Sequence, residues 1–123
     1  MILLDELYTI TSQHDVDQAT SFLVALRPES VIFGAHFPGE PIMPGACIVQ
    51  MVLELTSLWR KQPTLSITKV NNLKFLSVIK PGETPSLAVN LELRQDDEST
   101  LQVRGSLRDE ATEFTKFSLT FSK

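Results

Sequence analysis

His36 is the residue best suited to chemistry in this sequence. Histidine is the side chain type whose unperturbed charge change falls between about pH 5 and 8. His36 stands in the run Gly34-Ala35-His36-Phe37-Pro38-Gly39-Glu40-Pro41-Ile42-Met43-Pro44-Gly45, where proline fixes φ and glycine permits tight turns. A ring held in such a loop can take a proton from a bound substrate as a general base, although a histidine taken alone is more often structural. Gly45 closes the run at the expected start of a helix, where backbone N–H groups are unpaired and the macrodipole is positive. Lacking a side chain, it would let an oxygen that gains negative charge approach closely. Further along, Gln50, Glu54, Ser57 and Lys61 fall on one narrow line of that helix. The line is either the solvated edge of the helix or a polar lining along a cleft. Glu54 can exchange a proton, whereas the Gln50 amide can orient a hydroxyl or a water but supply no proton at useful pH.

These residues need elements to hold them. Residues 46–60 contain no proline or glycine, which predicts a helix of about four turns that ends near Lys61, before Pro63. Apolar residues occupy nearly its whole circumference, so burial on most sides is expected. Phe22, Val24 and Leu26 share one parity within residues 19–27, the mark of a half-buried strand, and an earlier strand is expected around Leu7 to Thr11. The polar stretch Thr11 to Gln18, with His14, reads as an exposed turn without a functional role. Pro28 to Gly45 reads as a shaped loop.

Beyond Thr64 the pattern turns to strands, with Leu65 and Ile67, then Leu73 and Phe75 after an irregularity at Asn71-Asn72. Residues 86–94 alternate cleanly, with Leu87, Val89, Leu91 and Leu93 inward. Strands are also expected over Leu101 to Leu107 and Thr112 to Ser122, where the off-parity Phe114 predicts a bulge near Thr115 or burial on both faces. One long helix followed by about four antiparallel strands is an α+β pattern in which a sheet wraps a helix.

The run from His36 to Gly45 closely resembles the H-F-P-G-x-P-I/V-M-P-G signature of the 3-hydroxyacyl-acyl carrier protein dehydratases, matching at His36, Phe37, Pro38, Gly39, Pro41, Ile42, Met43, Pro44 and Gly45. Lys74-Phe75-Leu76 and Lys80-Pro81-Gly82-Glu83-Thr84 also look like that family's K-F-L-x-P-V-x-P-G-D-x-L stretch, without its first proline. The resemblance implies a hot-dog fold over residues 1–123 as a single domain. It implies removal of water from a (3R)-3-hydroxyacyl thioester carried on acyl carrier protein, giving the trans-2-enoyl thioester. His36 would be the base and Gly45 the oxyanion donor, with Phe37, Met43, Pro44 and Met51 at the substrate. No metal or redox cofactor is implied.

The family places a carboxylate fourteen residues after the histidine, where this chain has Gln50, and usually a glutamine one turn later, where it has Glu54. Three readings follow. Glu54 could act as the acid from about 6 Å further along the helix. The chain could bind acyl groups without dehydrating them. Because the family's site lies at a dimer interface, a paralogue could supply the carboxylate in a heterodimer, where otherwise a homodimer or higher oligomer is expected. An acyl thioesterase on the same fold is the further enzymatic alternative.

Composition sets the outer bounds. With 42% hydrophobic and 21% charged residues the chain reads as an ordinary globular protein. A formal charge of -4 disfavours nucleic acid as partner, since phosphate binding needs clustered Lys and Arg. The apolar stretch Ala46 to Leu58 is interrupted by Gln50 and Glu54, which argues against a membrane span, and a cytoplasmic location is the expectation. Cys47, the only cysteine, can form no internal disulfide and reads as a small buried hydrophobe. Trp59, Met51 and Phe33 read as core or acyl-tunnel lining. Arg60, Lys61, Lys69, Lys74 and Lys80 are either ordinary surface charges or part of a patch that docks a carrier protein.

Overall fold

Alternation of apolar and polar residues builds the sheet. In β4 (Ser86–Asp96) Leu87, Val89 and Leu91 are buried while their neighbours are partly or fully exposed, the pattern of a strand with one wet face. The computed structural model describes residues 1–123. Before β4 come β1 (Tyr8–Val16), β2 (Ala19–Leu26), α1 (Val31–Ala35), α2 (Gly45–Arg60) and β3 (Ser66–Phe75), and after it β5 (Thr100–Arg108) and β6 (Glu113–Ser122). The strands form one antiparallel sheet in the order β1-β2-β4-β5-β6-β3.

Helix α2 lies against the inner face of this sheet. Its Ile48, Met51, Val52 and Leu55 share one core with inward side chains of β2, β4, β5 and β6. At about 1.5 Å per residue its span is roughly 24 Å. It stops at Lys61, which adopts a left-handed conformation at φ 54° and donates its amide to the Ser57 carbonyl. Strand β3 differs from the others. It forms one edge of the sheet and contributes no fully buried side chain, and its Val70 and Phe75 are half exposed.

Several irregularities shape the sheet. Register shifts in the β3–β6 pairing fall between Ile67 and Lys69 and between Val70 and Asn72, the second where Asn71-Asn72 breaks the sequence pattern. In β6 the pairing steps from Thr115 to Glu113 and leaves Phe114 as the extra residue, so both Phe114 and Thr115 are buried, and the Phe114 carbonyl accepts the Leu76 amide at 2.8 Å. At Gly105 a Cβ would stand 1.8 Å from the Asn90 carbonyl oxygen, so the close approach of β5 to β4 requires glycine there.

Two expectations need correction. Thr11 to Val16 is strand rather than turn: β1 continues to Val16, with His14 opposite Ser21. Most of its side chains are exposed on both faces, so no apolar alternation marked it. The Pro28 to Gly45 segment also contains the short helix α1, started by Ser30, whose hydroxyl accepts the Ile32 amide, and anchored by buried Phe33.

Candidate functional site

The loop between α1 and α2 holds the His36 backbone from both sides. Its amide donates to the Ile32 carbonyl at 3.0 Å, and its carbonyl accepts the Ile42 amide at 2.8 Å. Between these anchors Phe37 and Glu40 exchange amide–carbonyl bonds across a tight turn that needs Gly39 at φ 80°. The His36–Phe37 peptide is cis. Buried Met43 donates its amide to the Ile79 carbonyl at 2.9 Å and ties the loop to the segment that follows β3. The His36 ring is exposed, makes no hydrogen bond within the chain, and lies edge-on to Phe37 with centroids 5.8 Å apart. The backbone is therefore fixed while the ring nitrogens are free.

Helix α2 begins one residue after Pro44, which offers no capping side chain. The Pro44 carbonyl accepts the Cys47 and Ile48 amides, and the Gly45 amide has no backbone partner. A Cβ at Gly45 would lie 2.8 Å from the Phe75 ring, so the absence of a side chain is what lets this half-exposed ring rest on the helix start. Burial pushes the nearby Cys47 thiol up, away from the reactive thiolate.

The middle of α2 is closed. Glu54 is only 2% exposed. One carboxylate oxygen, Oε2, accepts the Leu3 amide and Gln50 Nε2, each at 3.0 Å. The other, Oε1, accepts the Leu4 amide at 2.9 Å and the Tyr8 hydroxyl at 3.0 Å. Tyr8 is itself fully buried, and burial together with the adjacent Glu54 charge raises its hydroxyl well above the ordinary tyrosine range. All four favourable acceptor positions of the carboxylate are thus occupied. The line Gln50, Glu54, Ser57 and Lys61 is not a solvated edge, since Glu54 and Ser57 are buried beneath neighbouring structure. The expectation that Glu54 serves as an acid from one turn away meets a carboxylate with no position left for a substrate hydroxyl.

Gln50 and Glu54 therefore come together, as do His36 and Phe37, and Met51 lies wholly in the core. No hydrogen bond joins His36 to Gln50 or Glu54. The partners of Glu54 were not foreseen: Tyr8 and the Leu3 and Leu4 amides lie about fifty residues away, beyond any helical spacing. A groove of about 830 Å³ runs over the outer sheet face beside Ser21, Asn90, Arg104 and Lys116, and neither His36, Gln50 nor Glu54 lines it. No helix is long and apolar enough to cross a membrane.

Comparison with known proteins extends this picture. The model of the ApeI-like family, described as ApeI dehydratase, matches residues 11–116. A 3-hydroxyacyl-acyl-carrier-protein dehydratase FabZ of Latilactobacillus sakei is 32% identical over 84 residues, covering 61% of this chain and 60% of the relative. The FabZ of Lactobacillus helveticus is 26% identical over 83 residues, covering 63% of this chain and 56% of the relative. The chain thus spans little more than half the length of these relatives. Among solved structures, the dehydratase heterocomplex ApeI:P from Xenorhabdus doucetiae superposes with a TM-score of 0.66 at 18% identity, covering 94% of this chain and 97% of that one. A mutant thioesterase of Staphylococcus aureus gives 0.64 at 11% identity, covering 94% and 91%. The fold is shared at these identities, and the match over residues 11–116 carries the assignment: this chain adopts the hot-dog fold and belongs to the ApeI-like dehydratase family.

Proposed function

We propose that this chain is a dehydratase subunit that acts on (3R)-3-hydroxyacyl thioesters borne by acyl carrier protein, and that its acid comes from a second, carboxylate-bearing chain. His36 takes the proton from C2. The charge that develops on the thioester oxygen is met by the unpaired Gly45 amide at the positive end of α2. The C3 hydroxyl leaves as water with a proton from the partner's acid, giving the trans-2-enoyl thioester. Phe37, Met43 and Pro44 shape the wall beside these groups, and Met51 backs it from the core. The observation that carries this reading is the closed environment of Glu54: its carboxylate already accepts four hydrogen bonds, and Gln50, at the family's carboxylate position, has no proton to give.

A homodimer would pair His36 of one copy with Gln50 of the other and contain no acid. A heterodimer would contain one complete site. The exposed β3 edge, with Val70 and Phe75, together with exposed Leu76 and Val78, offers an apolar surface suited to pairing. That a structural neighbour is a dehydratase heterocomplex supports the same reading.

The test follows enoyl product by mass spectrometry from 3-hydroxyacyl-acyl carrier protein, with the chain alone and after mixing with a family member that has the carboxylate. Turnover only in the mixture, lowered about 10²- to 10⁴-fold by His36→Ala in this chain, is expected. Full turnover by the chain alone, abolished by Glu54→Gln, would sink the proposal.

A further inference from the structure

Glu54 also decides which atom Gln50 offers. The carboxylate oxygen that faces Gln50 already accepts the Leu3 amide and can only accept again, so the amide must turn its donor, Nε2, toward it. The chemistry of the contact thus fixes the amide orientation, which a freely rotating glutamine would leave open. Oε1 is turned away from Glu54, accepts no hydrogen bond within the chain, and belongs to a half-buried side chain. From this geometry, and resting on the dehydratase reading above, we infer that Gln50 is a specificity-determining acceptor for the C3 hydroxyl, held by Glu54 as a positioning residue, so that sites lined by this chain's α2 retain 3-hydroxyacyl groups in preference to acyl groups without a hydroxyl.

A saturated acyl chain has no donor at C3 and would leave Oε1 unpaired in the closed site, as would a 2-enoyl product. The preference therefore favours the hydroxylated group over both the saturated and the 2-enoyl forms. A carboxylic acid at the same position would instead donate to the hydroxyl oxygen, so glutamine reverses the direction of the hydrogen bond there. A site with Gln50 recognises the hydroxyl without protonating it.

The probes are pantetheine amides of matched chain length, one (3R)-3-hydroxyacyl and one saturated, which undergo no elimination. They are titrated into the full wild-type chain by calorimetry. The hydroxylated probe should bind about three- to tenfold more tightly, the range that one neutral hydrogen bond supplies. Gln50→Leu, which leaves the bonds from Leu3, Leu4 and Tyr8 to Glu54 in place, should bring the ratio to about one without weakening the saturated probe. Glu54→Asp, which withdraws the carboxylate by one methylene, should lower the ratio as well, an effect that a loss of folding would not mimic because it weakens both probes equally. Equal binding of the two probes to wild type, or a ratio that survives Gln50→Leu, overturns the inference and leaves the dehydratase reading standing. Binding of neither probe overturns the inference as well, while the mixed-chain turnover assay decides the dehydratase reading separately.

Discussion

The two halves of the site are built on opposite terms. From His36 to Gly45 the backbone is anchored while the imidazole nitrogens and the Gly45 amide, the groups proposed to meet the substrate, are left without partners. About two and a half turns further along the same helix, Glu54 is buried with its acceptor positions filled. Groups held open in a fixed frame are ready for a substrate. A carboxylate closed by two amides, a hydroxyl and a glutamine instead holds the chain together, by pinning residues Leu3 to Tyr8 across α2. Residue type alone does not tell these uses apart, because both regions carry a titratable side chain in the family's catalytic neighbourhood.

The largest expected effect comes from moving the carboxylate from the closed region to the open one. The double substitution Gln50→Glu with Glu54→Gln restores the family's usual order of residues along the helix. It should raise dehydration by the chain alone about 100-fold or more, since a positioned acid contributes about 10²–10⁴-fold. Its stability should fall by about 1–3 kcal/mol, because a glutamine at 54 has one acceptor oxygen where the strap of Leu3 and Leu4 needs two. Mass spectrometry of the enoyl product and a urea melt read the two effects separately. No gain in turnover, with the fold intact, would mean that the open half lacks more than an acid.

A second experiment tests the closed half directly. Glu54→Leu leaves the Leu3 and Leu4 amides and the Tyr8 hydroxyl facing an apolar side chain, and should cost about 3–5 kcal/mol in chemical denaturation. Protection of the Leu3 and Leu4 amides from hydrogen exchange should be lost in the same variant. Unchanged stability would remove the structural role assigned to Glu54.

Much of this arrangement could be read from the sequence, and what could not be has a common cause. Strand β4 declared itself because one face meets the core and the other meets water, and the Phe114 bulge followed from a parity break. The second half of β1 gave no signal, since its residues are exposed on both faces and are held mainly by pairing with β2. The loop that holds His36 was legible because proline and glycine act locally. Glu54 was not. Its environment is made by Tyr8, Leu3 and Leu4, which only the folded chain brings to α2, so a spacing argument could place Glu54 on the helix but not decide between acid and anchor.

Tyr8→Phe removes one of the four bonds to Glu54 and should cost about 1–3 kcal/mol, less than loss of the carboxylate because the two amides and Gln50 remain. The same contact predicts an alkaline limit. Tyr8 keeps its proton in the folded state beyond the ordinary tyrosine value, first because it is buried and then because the Glu54 carboxylate opposes a second negative charge. Above about pH 10 the folded chain therefore binds more protons than the unfolded one, and stability falls with rising pH. The contribution is complete below that value and disappears as pH climbs toward the raised folded value. Denaturation curves across this range should slope downward in wild type and more weakly in Tyr8→Phe, and equal slopes would count against the buried bond.

The smallest effect belongs to a site far from the helix, where a carboxylate gathers as many donors as Glu54 without being buried. Asp97, in the β4–β5 hairpin, accepts Gln95 Nε2, the Thr100 hydroxyl and the Thr100 and Ser99 amides, and these bonds, in that order, hold its carboxyl below the ordinary aspartate range. Water competes for each of them there, so Asp97→Ala should lower the thermal midpoint only slightly. The pH dependence has the opposite sign to that of Tyr8. A lowered folded value means that the contribution is present above the unfolded aspartate value, about 3.9, and is lost as pH falls through the folded one. If Asp97→Ala proved as damaging as Glu54→Leu, the number of hydrogen bonds rather than burial would set the worth of a closed carboxylate. A small effect confined to acid would make burial the deciding term.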